Sequence, residues 1–147
     1  MCLSVKNLTR NVAETDIVCY KMLLTVKDTN NTCSGFFIEQ MNGAEYLSPY
    51  RHAPYDIGKR YESTLDIPKK SYSMDDDYSV HNGLHTFSEL SDAIMIRNLT
   101  NKNFGPVVVE CRIPKGAEFY SGIFENIYTG SAKSYASNSL IVDEVVP

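Results

Sequence analysis

The stretch that decides the fold runs from Val80 to Tyr120 and reads VHNGLHTFSELSDAIMIRNLTNKNFGPVVVECRIPKGAEFY. Its first residues predict a short strand, and its middle predicts a helix over Phe87–Arg97. Apolar residues recur there at the spacing i, i+3, i+7, which gives an α-helix one apolar face: Phe87, Leu90 and Ile94. Thr86 with Glu89 three residues later is a capping-box pattern, so we expect the helix to begin at this point.

The end of the same stretch predicts the most hydrophobic strand of the chain. Val107-Val108-Val109 is β-branched, and prolines at 106 and 114 bracket the segment. Because side chains alternate along a strand, one face should carry four apolar residues: Val107, Val109, Cys111 and Ile113. The run Pro114–Ala117 predicts a turn that sends the chain back.

Strand patterns dominate the rest of the chain. Residues 16–26 are almost continuously apolar, which predicts a central strand covered on both faces. Residues 140–146 predict a final strand, and neither an internal repeat nor a linker divides the 147 residues. We therefore expect an α+β fold in a single domain over 1–147, with a mixed, mainly antiparallel β-sheet and one principal α-helix at about 87–97.

Composition excludes several classes of function. The net charge is −4 and basic residues do not cluster, which argues against a binder of duplex nucleic acid. The sequence carries neither a signal segment nor an apolar run long enough to cross a membrane, so we expect a cytoplasmic protein. The four cysteines lack the paired short spacing of a zinc knuckle, and disulfides are not expected in a reducing compartment.

Residues 46–61 have the most unusual composition, since tyrosines, prolines and basic residues are concentrated there. Prolines stiffen such a loop, tyrosines offer flat faces, and cations offer contacts to anions. Its candidate binding residues are Tyr50, Arg51, His52 and Tyr55. These types together favour a pocket for a nucleotide or a sugar phosphate. The alternative is a structural, tyrosine-rich loop packed on the edge of the sheet.

His85 follows a glycine-containing turn and directly precedes the predicted helix. The free N–H groups of a helix N-terminus attract anions, and a neutral histidine there could donate a hydrogen bond to a ligand. Tyr135 would add a stacking surface to the same pocket. His81 and His85 lack a third ligand at a suitable spacing, so we expect neither a metal site nor a cofactor.

Short segments spread over most of the chain carry a resemblance to a known group of proteins. In order they are Met1–Leu3, Asp16–Lys21, Ser48–Tyr50 with Gly58–Lys59, Gly83–Phe87, Ile113–Ala117 with Tyr120–Gly122, and Ser134–Ser137. In these segments the chain resembles small bacteriophage and mobile-element proteins, a largely uncharacterised group. The resemblance implies a phage setting and therefore the cytoplasm of the infected host. Proteins of this kind often act against host immunity, and some sequester nucleotide-derived immune signals.

Two enzyme interpretations stay open beside this one. The chain has a weaker resemblance to the ADP-ribosyltransferase layout, although Ser134–Ser137 is one residue too long for its Ser-x-Ser strand; Glu144 would be the final glutamate, with His85 as its partner. Removal of Met1 would expose Cys2 as an N-terminal nucleophile whose base is its own amino group.

We favour a non-enzymatic binder of a small anionic, nucleotide-like ligand over either enzyme. A third interpretation is a protein that blocks a host defence protein through its tyrosine-rich surface, since Tyr and Arg are frequent interface anchors. The sequence leaves the oligomeric state open, a homo-oligomer included.

Overall fold

The computed structural model describes residues 3–6, 8–25, 43–49, 53–70, 78–126 and 130–147. Within these residues thirteen strands form one sheet, and one α-helix packs on it. The strands are β1 (Leu3–Val5), β2 (Asn11–Val12), β3 (Ile17–Leu24), β4 (Tyr46–Leu47), β5 (Pro54–Tyr55), β6 (Arg60–Glu62), β7 (Lys69–Lys70), β8 (Tyr78–Val80), β9 (Leu84–Phe87), β10 (Pro106–Ile113), β11 (Glu118–Asn126), β12 (Gly130–Ser137) and β13 (Ser139–Val145). The helix is α1 (Leu90–Leu99), and a single 3-10 turn follows at Lys102–Phe104.

The strands lie in the order β6-β13-β10-β3-β9-β12-β11-β1-β8-β7, while β2 pairs with β11, and β4 pairs with β3 and β5. Every pairing among the described strands is antiparallel, so this part of the chain lacks the parallel component that we expected of a mixed sheet. The fold is therefore a predominantly antiparallel sheet with one helix. Asn138 alone separates β12 from β13, which lie at opposite ends of the path β13-β10-β3-β9-β12. The sheet must curl to allow this direct connection.

The paired strands β3 and β10 divide the core into two faces. Their register sets Cys19 opposite Cys111 and Met22 opposite Val108. Met22 and Val108 pack under the helix, on a side that we call the helix face. The opposite side, the inner face, carries the second core cluster: Cys19, Leu23, Val109, Cys111, Ile113, Leu140 and Val142. The predicted strand over 107–113 and its alternation are thereby confirmed.

The helix begins later than its sequence pattern predicts. It spans Leu90–Leu99 rather than Phe87–Arg97, and Glu89 is its N-cap without a side-chain capping bond. The capping-box prediction is wrong because Thr86 and Phe87 belong to β9, which pairs with β12. Sheet hydrogen bonds thus override a local helix signal. Among the described residues no helix is long and apolar enough to cross a membrane.

Cys19 and Cys111 are free thiols that lie directly opposite each other inside the sheet. Both are fully buried, so they pack as small core residues. Burial raises the pKa of the Cys19 thiol to about 11, and burial likewise raises the pKa of Cys111 well above its ordinary value. A thiol held in its neutral form is a poor nucleophile, so this pair acts in packing.

Candidate functional site

A cavity of about 410 Å³ opens between the middle of the sheet and the segment that carries β4, β5 and β6. Its wall combines residues from four parts of the chain: Lys21, Ser48, Ala53, Pro54, Tyr55, Tyr61, Glu62, Ser63, Gly83, Leu84 and His85. Most of this wall is apolar or aromatic, and a few polar groups interrupt it. Ligand sites in proteins typically have this composition and a volume of roughly 300–1,000 Å³.

Lys21 supplies the positive charge of the cavity. It lies on β3 between Cys19 and Leu23, so strand alternation directs its side chain to the inner face. Only 8% of its surface is exposed. The Nζ ammonium donates a hydrogen bond to the carbonyl oxygen of His85 at 2.8 Å and lies 5.6 Å from the centre of the Tyr55 ring. Lysine is rarely this buried, because removing its charge from water costs several kcal/mol.

Two tyrosines form the aromatic wall of the cavity. Tyr55 is 4% exposed, and its ring centre lies 4.6 Å from that of Tyr61 at an angle of 59°. The backbone N–H of Asp56 donates to the hydroxyl of Tyr61 at 2.6 Å, which fixes the second ring. The backbone of Tyr55 is fixed by strand pairing, since β5 pairs with β4. The two rings are therefore positioned before any ligand arrives.

His85 contributes to the cavity in a way that the sequence did not indicate. In β9 it lies opposite Ala136 of β12, while its neighbours Leu84 and Thr86 alternate to the other side. Leu84 packs on the inner-face cluster, so alternation directs the His85 imidazole to the opposite face from Lys21. The imidazole Nε2 donates to the carbonyl oxygen of Asn82 at 3.0 Å. What His85 offers to Lys21 is its own backbone carbonyl.

A more exposed carboxylate also belongs to the wall of the same cavity. Glu62 ends β6, and its side chain is 63% exposed. Arg60 Nε donates to Glu62 Oε1 at 2.7 Å, and Ser139 Oγ donates to the same oxygen at 3.0 Å. Both bonds orient the carboxylate from one side. The cavity wall therefore includes a buried ammonium and a more exposed carboxylate, which is ion-paired with Arg60.

The structure brings together two of the six predicted binding residues. Tyr55 and His85 both line the cavity. Tyr135 lies elsewhere on the inner face: its ring meets that of Phe119 edge-on, with 5.7 Å between their centres. Tyr50, Arg51 and His52 lie outside the described residues, as does Cys2.

His85 and Glu144 do not lie on neighbouring strands. Glu144 of β13 lies opposite Glu110 of β10, and two strands, β10 and β3, separate β13 from β9 along the sheet. Among the residues that the structure describes, no group of three His, Cys, Asp or Glu side chains is suited to a metal ion.

Sequence reasoning missed Lys21, Tyr61 and Glu62 as site residues. A signal for Lys21 was present, since the strand around it was expected to be covered on both faces. A lysine inside such a strand has to be buried, and a buried charge marks a candidate functional site. Tyr61 lay at the end of the unusual stretch 46–61 but was not singled out within it. Glu62 had no comparable signal, because only the curl of the sheet brings β6 to the cavity.

Known proteins do not identify this cavity. Comparisons of the chain with protein-family models, with curated proteins and with solved structures found no match. The case for function therefore rests on the cavity and on the chemistry of the side chains that line it.

Proposed function

We propose that the protein binds a small anionic, nucleotide-like ligand in this cavity, without catalysing its conversion. Lys21 carries the proposal: its ammonium is 8% exposed and forms part of the cavity wall. The ammonium donates a hydrogen bond to the carbonyl oxygen of His85 and lies beside the Tyr55 ring, so these contacts hold it at the cavity wall. Burying this ammonium costs free energy of solvation. Because little water screens the buried charge, it attracts an anion strongly.

The size and shape of the cavity point to the rest of the ligand. Its volume of about 410 Å³ lies in the lower part of the range for ligand sites, which favours a mononucleotide over a larger molecule. Tyr55 and Tyr61 line one wall, and aromatic rings favour flat, unsaturated partners. An anion beside Lys21 and a planar ring along the tyrosines together describe a nucleotide.

The bacteriophage resemblance supplies a biological setting for this binding. In the cytoplasm of an infected cell, a protein that binds a nucleotide-like signal tightly lowers its free concentration. We propose such sequestration of a host immune signal as the biological role. The strand order favours binding over catalysis by His85 and Glu144, since β10 and β3 separate their strands along the sheet.

A thermal-shift screen against 5′-mononucleotides, cyclic nucleotides and inorganic phosphate tests the proposal. A ligand present at 100 times its Kd stabilises the folded state by about 2.7 kcal/mol. For a domain of this size we expect the melting temperature to rise by roughly 5–10 °C. Lys21→Met keeps the length of the side chain but removes its charge, so the shift should disappear.

Lys102→Met is the matched control, because Lys102 is an exposed lysine on the 3-10 turn, outside the cavity wall. This variant should keep the full shift. If no anion stabilises the protein, or if both variants respond like the wild type, the proposal is wrong and the blocking of a host protein becomes the better interpretation. Recovery of a chemically altered ligand after denaturation would instead identify an enzyme.

A further inference from the structure

We propose that the edge strand β6 pairs with β6 of a second copy of this chain and thereby forms a two-fold dimer. The path of the sheet ends at β6 on one side and at β7 on the other, and no described strand pairs with the far side of β6. An edge strand presents unpaired backbone groups, which makes it a template for another strand. This interface goes beyond the proposed function and requires no ligand.

The hydrogen bonds between β6 and β13 show which backbone groups of β6 face outward. Ser63 N donates to the carbonyl oxygen of Asn138, so the backbone of Ser63 faces β13. Backbone groups alternate between the two sides of an antiparallel strand, so in this register Tyr61 also faces β13, while Arg60 and Glu62 face away from it. The N–H and C=O groups of Arg60 and Glu62 therefore lie along the outer edge of the sheet.

The charges along this edge are complementary to those of an identical strand. In an antiparallel pair of two β6 strands centred on Tyr61, Arg60 of each copy lies opposite Glu62 of the other. Within one chain Arg60 and Glu62 already form an ion pair at 2.7 Å, and their side chains are 57% and 63% exposed. The dimer sets this pair beside an identical one in reverse orientation, so each charge gains a second partner of opposite sign. Opposite charges directly across two strands stabilise their pairing.

The edge at the other end of the sheet lacks this complementarity. The strand β7 consists of Lys69 and Lys70, and both residues are exposed. Pairing of β7 with its own copy would set lysine opposite lysine, and like charges across two strands are destabilising. Lysines on an edge strand are a common protection against association. Charge therefore selects β6 rather than β7 as the edge for a second copy.

Charge reversal tests this pairing, with sedimentation velocity over a series of protein concentrations as the readout. We expect the wild type to dimerise with a Kd of roughly 0.1 mM, because an interface of so few residues is weak. Arg60→Glu and Glu62→Arg each set like charges at both symmetry-related positions, so either variant should raise the Kd roughly tenfold or more. The double variant Arg60→Glu/Glu62→Arg restores the opposite charges in reverse order and should dimerise within about threefold of the wild type.

An equal mixture of the two single variants is the sharpest test. One variant carries carboxylates at positions 60 and 62, and the other carries guanidinium groups there. The mixture should therefore form a heterodimer about as tightly as the wild type forms its dimer. Both variants keep a negative net charge, because each reversal changes the wild-type value of −4 by two. A general attraction between the two proteins therefore does not explain such a heterodimer.

Lys102→Glu is the control, because it changes the net charge as Arg60→Glu does but lies at an exposed position of the 3-10 turn. This control should keep the wild-type Kd, and circular dichroism establishes that every variant is folded. A wild type that stays monomeric at about 1 mM overturns the inference. A dimer whose Kd neither reversal changes, or a mixture that does not associate, overturns it as well. Each of these results leaves the proposed function standing, because Lys21 takes no part in the interface.

Discussion

Two cations on the paired central strands show how position decides the role of a charge. Arg112 of β10 is 38% exposed at its side chain and lies between two carboxylates, with Nε 2.9 Å from Asp143 Oδ2 and Nη1 3.1 Å from Asp16 Oδ2. Lys21 of β3 faces the cavity, where a carbonyl oxygen and a tyrosine ring hold it. Carboxylates neutralise Arg112, so this residue joins strands. Lys21 is 8% exposed and forms part of the cavity wall, so a ligand that enters the cavity lies beside its ammonium.

Reversing each charge should produce the largest difference between the two residues. Lys21→Glu would direct a carboxylate at the carbonyl oxygen of His85 inside the protein. We expect a loss of roughly 3–5 kcal/mol in the free energy of unfolding, the usual effect of an uncompensated buried charge. Arg112→Glu would break two surface ion pairs and set a third carboxylate beside Asp16 and Asp143, but water screens these groups, so the loss should be smaller, roughly 1–2 kcal/mol. Urea unfolding measures both values. Equal losses in the free energy of unfolding would mean that water solvates Lys21 as well as Arg112, and would contradict a buried charge at Lys21.

A smaller effect on the free energy of unfolding should appear at low pH, through Asp16, an ion-pair partner of Arg112. The backbone N–H of Lys115 and the guanidinium of Arg112 lower the pKa of Asp16 below its ordinary value. The folded state therefore binds this proton less readily than the unfolded state, so the carboxylate stabilises the fold above about pH 4. That contribution is lost as the pH falls through the lowered pKa.

Asp16→Asn should make the free energy of unfolding fall less steeply below about pH 4. Above that pH, the dependence of stability on pH should be the same as in the wild type. Unfolding by urea at a series of pH values between 2 and 7 measures it. If the variant declines as steeply as the wild type, Asp16 does not hold its partners in solution, and Arg112 is less firmly neutralised than the structure indicates.

Local pattern was sufficient for much of the sheet. The β-branched run after Pro106 and the turn at Pro114–Ala117 were predicted from alternation and turn residues, and β10 ends where that turn begins. The apolar stretch that became β3 was likewise predicted as central and covered. Such features are encoded within a few residues, since burial on both faces of a strand requires apolar side chains at successive positions.

The start of the helix and the composition of the site depended on distant residues. Thr86 and Phe87 fit a helix start locally, but pairing of β9 with β12 holds them in a strand. Tyr55 and His85 were predicted as site residues, yet the partner they share, Lys21, comes from a strand more than thirty residues earlier in the sequence. Glu62 joins them only because β6 pairs with β13 at one end of the sheet. Sequence spacing does not encode such proximity.

The most direct test of the central claim is a calorimetric titration of AMP and inorganic phosphate into the wild type, Lys21→Met and Arg112→Met. Both variants remove one cation, and circular dichroism establishes that each remains folded. We expect Lys21→Met to weaken anion binding roughly 10- to 100-fold, in line with the loss of a hydrogen bond to a charged group. Arg112→Met should bind within about twofold of the wild type, because Arg112 lies outside the cavity wall. Equal weakening in both variants would show that anions respond to overall charge and would contradict a specific site at Lys21.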